Sequence, residues 1–391
     1  KFRVRKFMKL FKSLLVAPAT LGLLAPMSVT ANEINLNDVS GYASTAEVES
    51  INDFNAAKEL AVTNSRVDGL EARFNNFEAG SFSETTTASF SADFELSSED
   101  GGAEALSAFY GFQIDLNSSF TGEDSLDISI DAGNSDGSEF DINKASAGDD
   151  ILSVDGVSYT FPVGPVTAFV GDNTDGSALY STACVYGGPS NNLDDCGNGS
   201  SALGSGEGTA AGASYEFGSG FTAAVGYTGA GSATSGLMTK EGSDAFGGQL
   251  TYTADSYAAS VTAAHIEGAD GANDDRNYIG LNGYWTPSDT GAVPSVSVGY
   301  EKGSAQGLLD TTQWFVGLQW DEAGPGTFGT AVGTIGASMD HKYDPEFLMY
   351  EAFYSYAIND GMTITPLIYV KETAEGVDDK TGIMVKTSFS F

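Results

Sequence analysis

The chemistry available to this chain rests on oxygen. Asp93, Glu95, Gln113, Asp115 and Asp127 recur at every second position of three segments whose intervening residues are largely apolar. On an extended strand that spacing sends them to one face. A carboxylate at such intervals is ruinous against lipid and natural against a water-filled lumen, so these five are the candidate lumen-lining residues. Other reactive types are sparse. The two histidines, His265 and His341, fall in different predicted hairpins, and no Gly-x-Ser-x-Gly nucleophile elbow occurs. Ser219, within Phe217-Gly218-Ser219-Gly220-Phe221, reads as a hairpin turn. No catalytic constellation stands out, and no cofactor is expected. The acids from Asp131 to Glu139, with Asp149-Asp150, Asp194-Asp195 and Asp274-Asp275, supply oxygen ligands, but the first group does not match the EF-hand spacing. They read as solvated loop charges, with weak divalent binding between loops and surface lipid as the alternative, and no metal site is assigned.

The charge balance excludes whole classes of partner. The 391 residues carry 17 Lys and Arg against 53 Asp and Glu. Six of the 17, Lys1, Arg3, Arg5, Lys6, Lys9 and Lys12, lie in the first 31 positions. A chain this acidic repels phosphate backbones, so no nucleic-acid partner is expected. An acidic surface suited to a salty medium and a cation-attracting channel both fit the count. After residue 84 the basic residues are Lys144, Lys240, Arg276, Lys302, Lys342, Lys371, Lys380 and Lys386. A phosphate-selective pore needs rings of Arg or Lys at its constriction, and Arg276, the single Arg among these, follows Asp274 and Asp275.

The elements that must position these residues change along the chain. Basic residues followed by an apolar stretch from Leu14 to about Met27 and small residues at Val29-Thr30-Ala31 read as a signal peptide over 1–31, with 1–7 upstream of the true start at Met8. Export favours a disulfide between Cys184 and Cys196, which sit in a Gly-, Asn- and Asp-rich loop; two free thiols are the alternative. Residues 32–80 read as a periplasmic stub and a helix. Leu60, Val67 and Phe74 repeat at seven, as do Thr63, Leu70 and Phe77, a short a/d seam. Such a helix needs a partner: two further copies in a trimeric coiled coil, or the rim or interior of a barrel.

From residue 85 the period becomes two. Ala88, Phe90, Ala92, Phe94 and Leu96 alternate with Ser89, Ser91, Asp93, Glu95 and Ser97, and the pattern continues through hairpins at 159–170, 211–227, 245–266, 276–300, 311–335 and 347–371. Tight turns at Gly218-Ser219-Gly220, Ala254-Asp255-Ser256 and Asn359-Asp360-Gly361 alternate with long Gly-, Asp- and Ser-rich links. Between Tyr159–Phe161 and Thr167–Val170, Pro162-Val163-Gly164-Pro165 reads as another turn, and Pro366 sits uneasily inside a predicted strand. The last strand places Ile383, Val385, Phe389 and Phe391 on one face, and its terminal aromatics resemble the signal read by the barrel-assembly machinery. The predicted fold over 81–391 is all-β: a transmembrane antiparallel β-barrel of about sixteen strands, preceded by the short coiled-coil helix. The candidate constriction loops are 131–150 and 172–207, and the sequence does not choose between them.

Ser65-Arg66-Val67-Asp68-Gly69-Leu70-Glu71-Ala72-Arg73, with Phe82 and Thr85-Thr86-Thr87 after it, resembles the cyanobacterial porin family, in which a coiled coil feeds an OprB-like barrel. Val154 to Pro162 is similar to that family's strand-and-turn pattern. The helix-to-barrel match is the specific part; the barrel match over the rest of 33–391 is diffuse. The resemblance implies a homotrimeric outer-membrane porin embedded in lipid and passing ions, carbohydrate or iron species. The family's S-layer-homology domain is absent, with only a stub around Val48 to Phe54 in its place, which puts peptidoglycan binding in doubt. Expectation is therefore passive, cation-preferring diffusion of small polar solutes. A structural, envelope-tethering barrel with a plugged lumen is the alternative, and an outer-membrane hydrolase a more distant one.

Overall fold

The computed structural model describes residues 85–100, 105–134, 138–140, 142, 150–202, 208–231, 236–240, 242–268, 275–305, 309–336, 338–339, 346–373 and 377–391. The chain divides into two compact units, Lys1–Ala72 and Arg73–Phe391, and the described residues all belong to the second. The segments expected to form a signal peptide, a stub and a coiled-coil helix, and His341, lie outside them.

Alternation becomes strand throughout the second unit. The strands are β1 (Thr86–Asp100), β2 (Ser107–Ser118), β3 (Ser125–Gly133), β4 (Ser153–Val163), β5 (Val166–Thr174), β6 (Gly208–Gly218), β7 (Phe221–Gly229), β8 (Asp244–Thr253) and β9 (Tyr257–Ile266). They continue with β10 (Arg276–Trp285), β11 (Ser295–Ala305), β12 (Thr311–Ala323), β13 (Gly326–Thr334), β14 (Ser338–Met339), β15 (Leu348–Asn359), β16 (Met362–Lys371) and β17 (Lys380–Ser390). Each pairs antiparallel with its neighbours in order, and β17 closes on β1. β14 is a two-residue piece that resumes the β13 ladder on β12 two residues out of register. The result is a closed barrel of sixteen long strands. The closure seam is stitched by Phe90 N to Phe391 O at 2.9 Å and Phe391 N to Phe90 O at 3.0 Å. Full closure leaves no unpaired sheet edge.

Short turns and longer links largely alternate around the barrel, with a nine-residue β10–β11 connection at 286–294 as an exception. Turns after β4, β6 and β12 leave two residues between strands, at 164–165, 219–220 and 324–325, whereas those after β3, β5 and β13 span 134–152, 175–207 and 335–347. The two- and three-residue turns, after β4, β6, β8, β12 and β15, gather on one rim, where the chain also enters β1 and leaves β17. The expected four-residue turn Pro162–Pro165 shrinks to Gly164 and Pro165, because Pro162 and Val163 pair with Thr167 and Val166. Gly164 takes φ +62°, a conformation open to glycine without Cβ strain. Pro366 is accommodated in β16. The β15–β16 ladder runs Phe353↔Leu367, then resumes at Tyr356↔Ile364 without a register change, so the missing N–H costs one gap.

Outward positions are apolar and open: Phe94 is 53% exposed, Val225 59%, Ile279 58% and Leu281 52%. Near the short-turn rim they become aromatic. Phe90 stacks on Phe391 at 5.8 Å, Tyr159 on Phe161 at 5.2 Å, and Tyr252 meets Phe221 and Tyr257 at 4.8 and 5.9 Å. An apolar belt of this extent is costly in water and natural against acyl chains, and an aromatic girdle belongs at a lipid headgroup boundary.

Candidate functional site

The inner face is identified by what reaches it. Loop 175–202, between β5 and β6, touches side chains from strands on widely separated parts of the circumference, which one segment can do only from inside. Gly176 N donates to Thr228 Oγ1 on β7 at 2.7 Å, and Ser181 N to Gln249 Oε1 on β8 at 2.6 Å. Val185 N donates to Ser297 Oγ on β11 at 3.0 Å, and Gly187 N to Gln319 Oε1 on β12 at 2.9 Å. At its far reach the Tyr186 hydroxyl donates to Glu351 Oε1 on β15 at 2.6 Å. Burial and the adjacent Glu351 carboxylate push that hydroxyl far above the usual phenol range, so it remains a donor. The chain then folds back. Gln313 Nε2 on β12 donates to Asp195 Oδ2 at 2.9 Å, Asn282 Nδ2 on β10 to the Cys196 carbonyl at 3.0 Å, and Ser201 N to Glu301 Oε2 on β11 at 2.5 Å.

One bond and one apolar cluster hold the outgoing and returning limbs in place. Cys184 and Cys196 are joined by a disulfide. A buried apolar cluster then glues the loop to the β12–β17 wall: Tyr186, Leu193 and Cys196 from the loop pack with Phe315, Met349, Phe353, Leu367 and Met384 from the barrel. Tyr186 meets the Phe315 and Phe353 rings at 5.2 and 5.8 Å. These inward aromatics break the polar alternation because the loop, not water, is their neighbour. A second segment, from the β3–β4 link, joins the same cluster through Phe140 and Ile142. Asn191 Nδ2 donates to the Ser138 and Phe140 carbonyls at 3.0 Å each, tying the two loops together.

Register places the five expected residues. Asp93 and Glu95 lie on one face of β1; Gly111, opposite Asp93, carries that face to Gln113 and Asp115 on β2, and Asn117 carries it to Asp127 on β3. Glu95 is 1% exposed, bonded to the Ser138 hydroxyl of the infolded segment, which makes this the inner face. The other four are half-buried rather than covered. Asp115 Oδ1 accepts from Gln113 Nε2 at 2.6 Å and Ser129 Oγ at 2.7 Å, and Asp127 Oδ1 accepts from Asn117 Nδ2 at 2.5 Å. Phe389 and Phe391 point outward, against Phe94 and Phe90.

Sequence reasoning missed the rest of the inner inventory. Glu99, Asp131, Glu301 and Glu351 also face inward, and the infolded loops add Glu139, Asp194 and Asp195. Three of the scarce lysines sit on the inner face of β16 and β17. Lys371 pairs with Glu139 at 2.7 Å and Lys380 with Glu99 at 2.8 Å, while Lys386 lies over the Phe140 ring at 5.7 Å. A cavity of about 300 Å³ between the limbs is lined by Thr182, Cys184, Tyr186, Asp194, Asp195 and Asn198. Among the described residues no group of three or more His, Cys, Asp and Glu is arranged to hold a metal ion. His265 faces outward, its Nδ1 2.9 Å from Asn277 Oδ1. The arrangement is an inner wall lined with acids and narrowed by two infolded segments.

No protein-family model matches the chain. An uncharacterized protein of Nostoc sp. is 26% identical over 85% of this chain and 70% of its own length. Among solved structures, OprB of Pseudomonas putida superposes with a TM-score of 0.56 at 12% identity, covering 78% of this chain and 94% of that one. An anion-selective porin from Comamonas acidovorans gives 0.56 at 14% identity, covering 78% and 99%. OmpT of Vibrio cholerae in its trimer form gives 0.55 at 11% identity, covering 78% and 100%. At these identities the likeness is one of fold.

Proposed function

We propose that this chain is an outer-membrane porin that passes small polar solutes by passive diffusion and prefers cations. The observation that carries the reading is the 175–202 loop held inside a closed, outwardly apolar barrel, with acids on the loop and on the facing wall. Loop acids Asp194 and Asp195 and wall acids Asp93, Asp115 and Asp127 bear one sign, whereas the inner lysines Lys371 and Lys380 are each bonded to a carboxylate. Low-dielectric walls focus such a field and concentrate counterions in the passage. That a solved structure of similar fold is called anion-selective argues that charge placement, not the barrel, sets the sign.

Several parts of the reading go with it. A homotrimer is proposed by analogy with the trimer form of OmpT. Export by the N-terminal signal, a coiled coil over 32–80, and use of Phe389 and Phe391 by the barrel-assembly machinery complete the proposal, with ions, sugars and iron species as the cargo class. The second reading, an envelope-tethering barrel with a plugged lumen, draws on the two loops that meet inside the barrel.

Planar-bilayer recording separates the two. We expect discrete conductance steps and, across a salt gradient, a reversal potential of cation-selective sign that fades as salt shortens the screening length from about 10 Å at 0.1 M to about 3 Å at 1 M. An absence of steps favours the plugged barrel, and an anion-selective sign refutes the charge argument.

A further inference from the structure

Glycines on the inner wall recur where the loop touches it. The register row Asn282–Gly299–Phe315–Gly333–Met349 crosses β10 to β15, and Gly280 and Gly317 lie on the flanking rows. Each takes part of the loop where a Cβ would stand. A methyl on Gly299 would fall on the Cys196 carbonyl, and one on Gly280 on the Asn198 amide and Ser201 hydroxyl. A methyl on Gly317 would meet the wall's own Phe315 ring at 2.6 Å and the Tyr186 ring at 2.8 Å, and one on Gly333 the Trp314 carbonyl at 2.8 Å and the Leu193 side chain at 2.9 Å. The fit runs both ways: Cys196 and Gly197 have φ of +53° and +71°, and a Cβ on Gly197 would come within 2.9 Å of Phe315 Cβ.

We propose that Gly280, Gly299, Gly317 and Gly333 form a trough in the barrel wall that seats loop 175–202 and thereby sets the size cutoff of the channel. The inference rests on the porin reading for its functional half. Gly299 is the centre of the trough, because what lies against it is backbone. The Cys196 carbonyl also accepts the Asn282 amide at 3.0 Å, so it is bonded to the wall beside the glycine it covers. Side chains against Gly280 can rotate away, but a backbone carbonyl pinned by a disulfide and a hydrogen bond cannot. Any Cβ at 299 must push the returning limb off the wall and into the lumen space. These are positioning residues. Without the trough the loop has no fixed place, and a loop without a fixed place defines no cutoff.

The test is Gly299→Ala, with Gly248→Ala as control. Gly248 lies on the outer face, where a methyl finds nothing closer than 3.4 Å. Both variants keep the strand pairing, and folded barrel is isolated by its heat-modifiable migration. Two readouts follow. Chymotrypsin reports loop seating at Tyr186 and Leu193, both buried in the native protein. Liposome swelling with neutral sugars of graded size reports the cutoff. Gly299→Ala is expected to be cleaved in the loop and to shift the cutoff, while wild type and Gly248→Ala resist cleavage and share one cutoff. Folded Gly299→Ala protein that stays protected overturns the seat, and loop release with an unmoved cutoff overturns its functional half. Wild type that neither passes sugar nor shows conductance steps, while Gly299→Ala still releases the loop, refutes the porin reading and leaves the seat standing. If Gly299→Ala does not fold, Asn282→Ala removes the carbonyl anchor without added bulk and carries the same expectations.

Discussion

At the scale of single residues, the turn after β2 shows how one carboxylate can organise a link. Asp124 Oδ1 accepts from Ser119 Oγ, the Phe120 and Thr121 amides and Thr121 Oγ1 at 2.7–2.9 Å, and Oδ2 accepts from the Tyr159 hydroxyl at 2.6 Å. The Tyr159 bond, with the backbone and hydroxyl donors of the turn, holds the Asp124 carboxyl well below its ordinary range. A carboxylate depressed on folding contributes stability above the unfolded pKa of about 3.9 and loses it as pH falls toward the folded value. Asp124→Asn should therefore lower the urea midpoint of refolding at pH 7. The gap to wild type should narrow as refolding is repeated below about pH 4. A gap that is constant across pH would show that the amide, not the lost charge, is responsible. Nothing in the sequence pointed to Asp124, since an Asp in a Ser/Thr-rich turn looks like any solvated charge until its five donors are in view.

At the scale of elements, strand positions were legible and loop paths were not, for one reason. A strand's faces follow from a two-residue period, so Asp93, Glu95, Gln113, Asp115 and Asp127 could be grouped from spacing alone. A loop's course depends on contacts with residues far along the chain, such as Tyr186 with Glu351. Even so, a trace was present. Phe109, Phe315 and Phe353 sit at positions where the alternation calls for polar residues, and Gly280, Gly299, Gly317 and Gly333 share that face. Apolar residues on a wet face, beside glycines, mark a wall covered by something. The covering element is stapled by Cys184–Cys196, with a sequence separation of 12. Closing a loop of that size is worth about 3 kcal/mol by the chain-entropy argument. Protein isolated without reductant should resist thiol labelling at both positions. Cys184→Ser with Cys196→Ser should keep the barrel, whose strands the bond does not join, and make the loop more accessible to chymotrypsin. Labelling of both native cysteines in folded, unreduced protein would show that the staple does not form.

At the scale of the whole molecule, totals and placement have to be weighed together. The count of 53 acids against 17 bases argues for cation preference, yet it says nothing about where the few bases lie. Three of them, Lys371, Lys380 and Lys386, share the inner face of two adjacent strands, a placement that would favour anions if the amines were free. Two are instead neutralised at contact distance, Lys371 by Glu139 of the infolded segment and Lys380 by Glu99 of β1. Cation preference on this view depends on the wall and loop acids and on two carboxylates that mask lysines. The masking acids can be removed without touching Asp93, Asp115 or Asp127. Glu99→Gln with Glu139→Gln should leave conductance steps intact and move the reversal potential toward zero or into the anion-selective range, by uncovering two cations. Asp115→Asn with Asp127→Asn should move it the same way by removing two anions instead. Adding Lys371→Met and Lys380→Met to the first pair should restore most of the wild-type potential. A glutamine pair that conducts with an unchanged reversal potential would place these ion pairs away from the conduction path and return the explanation to the wall acids alone.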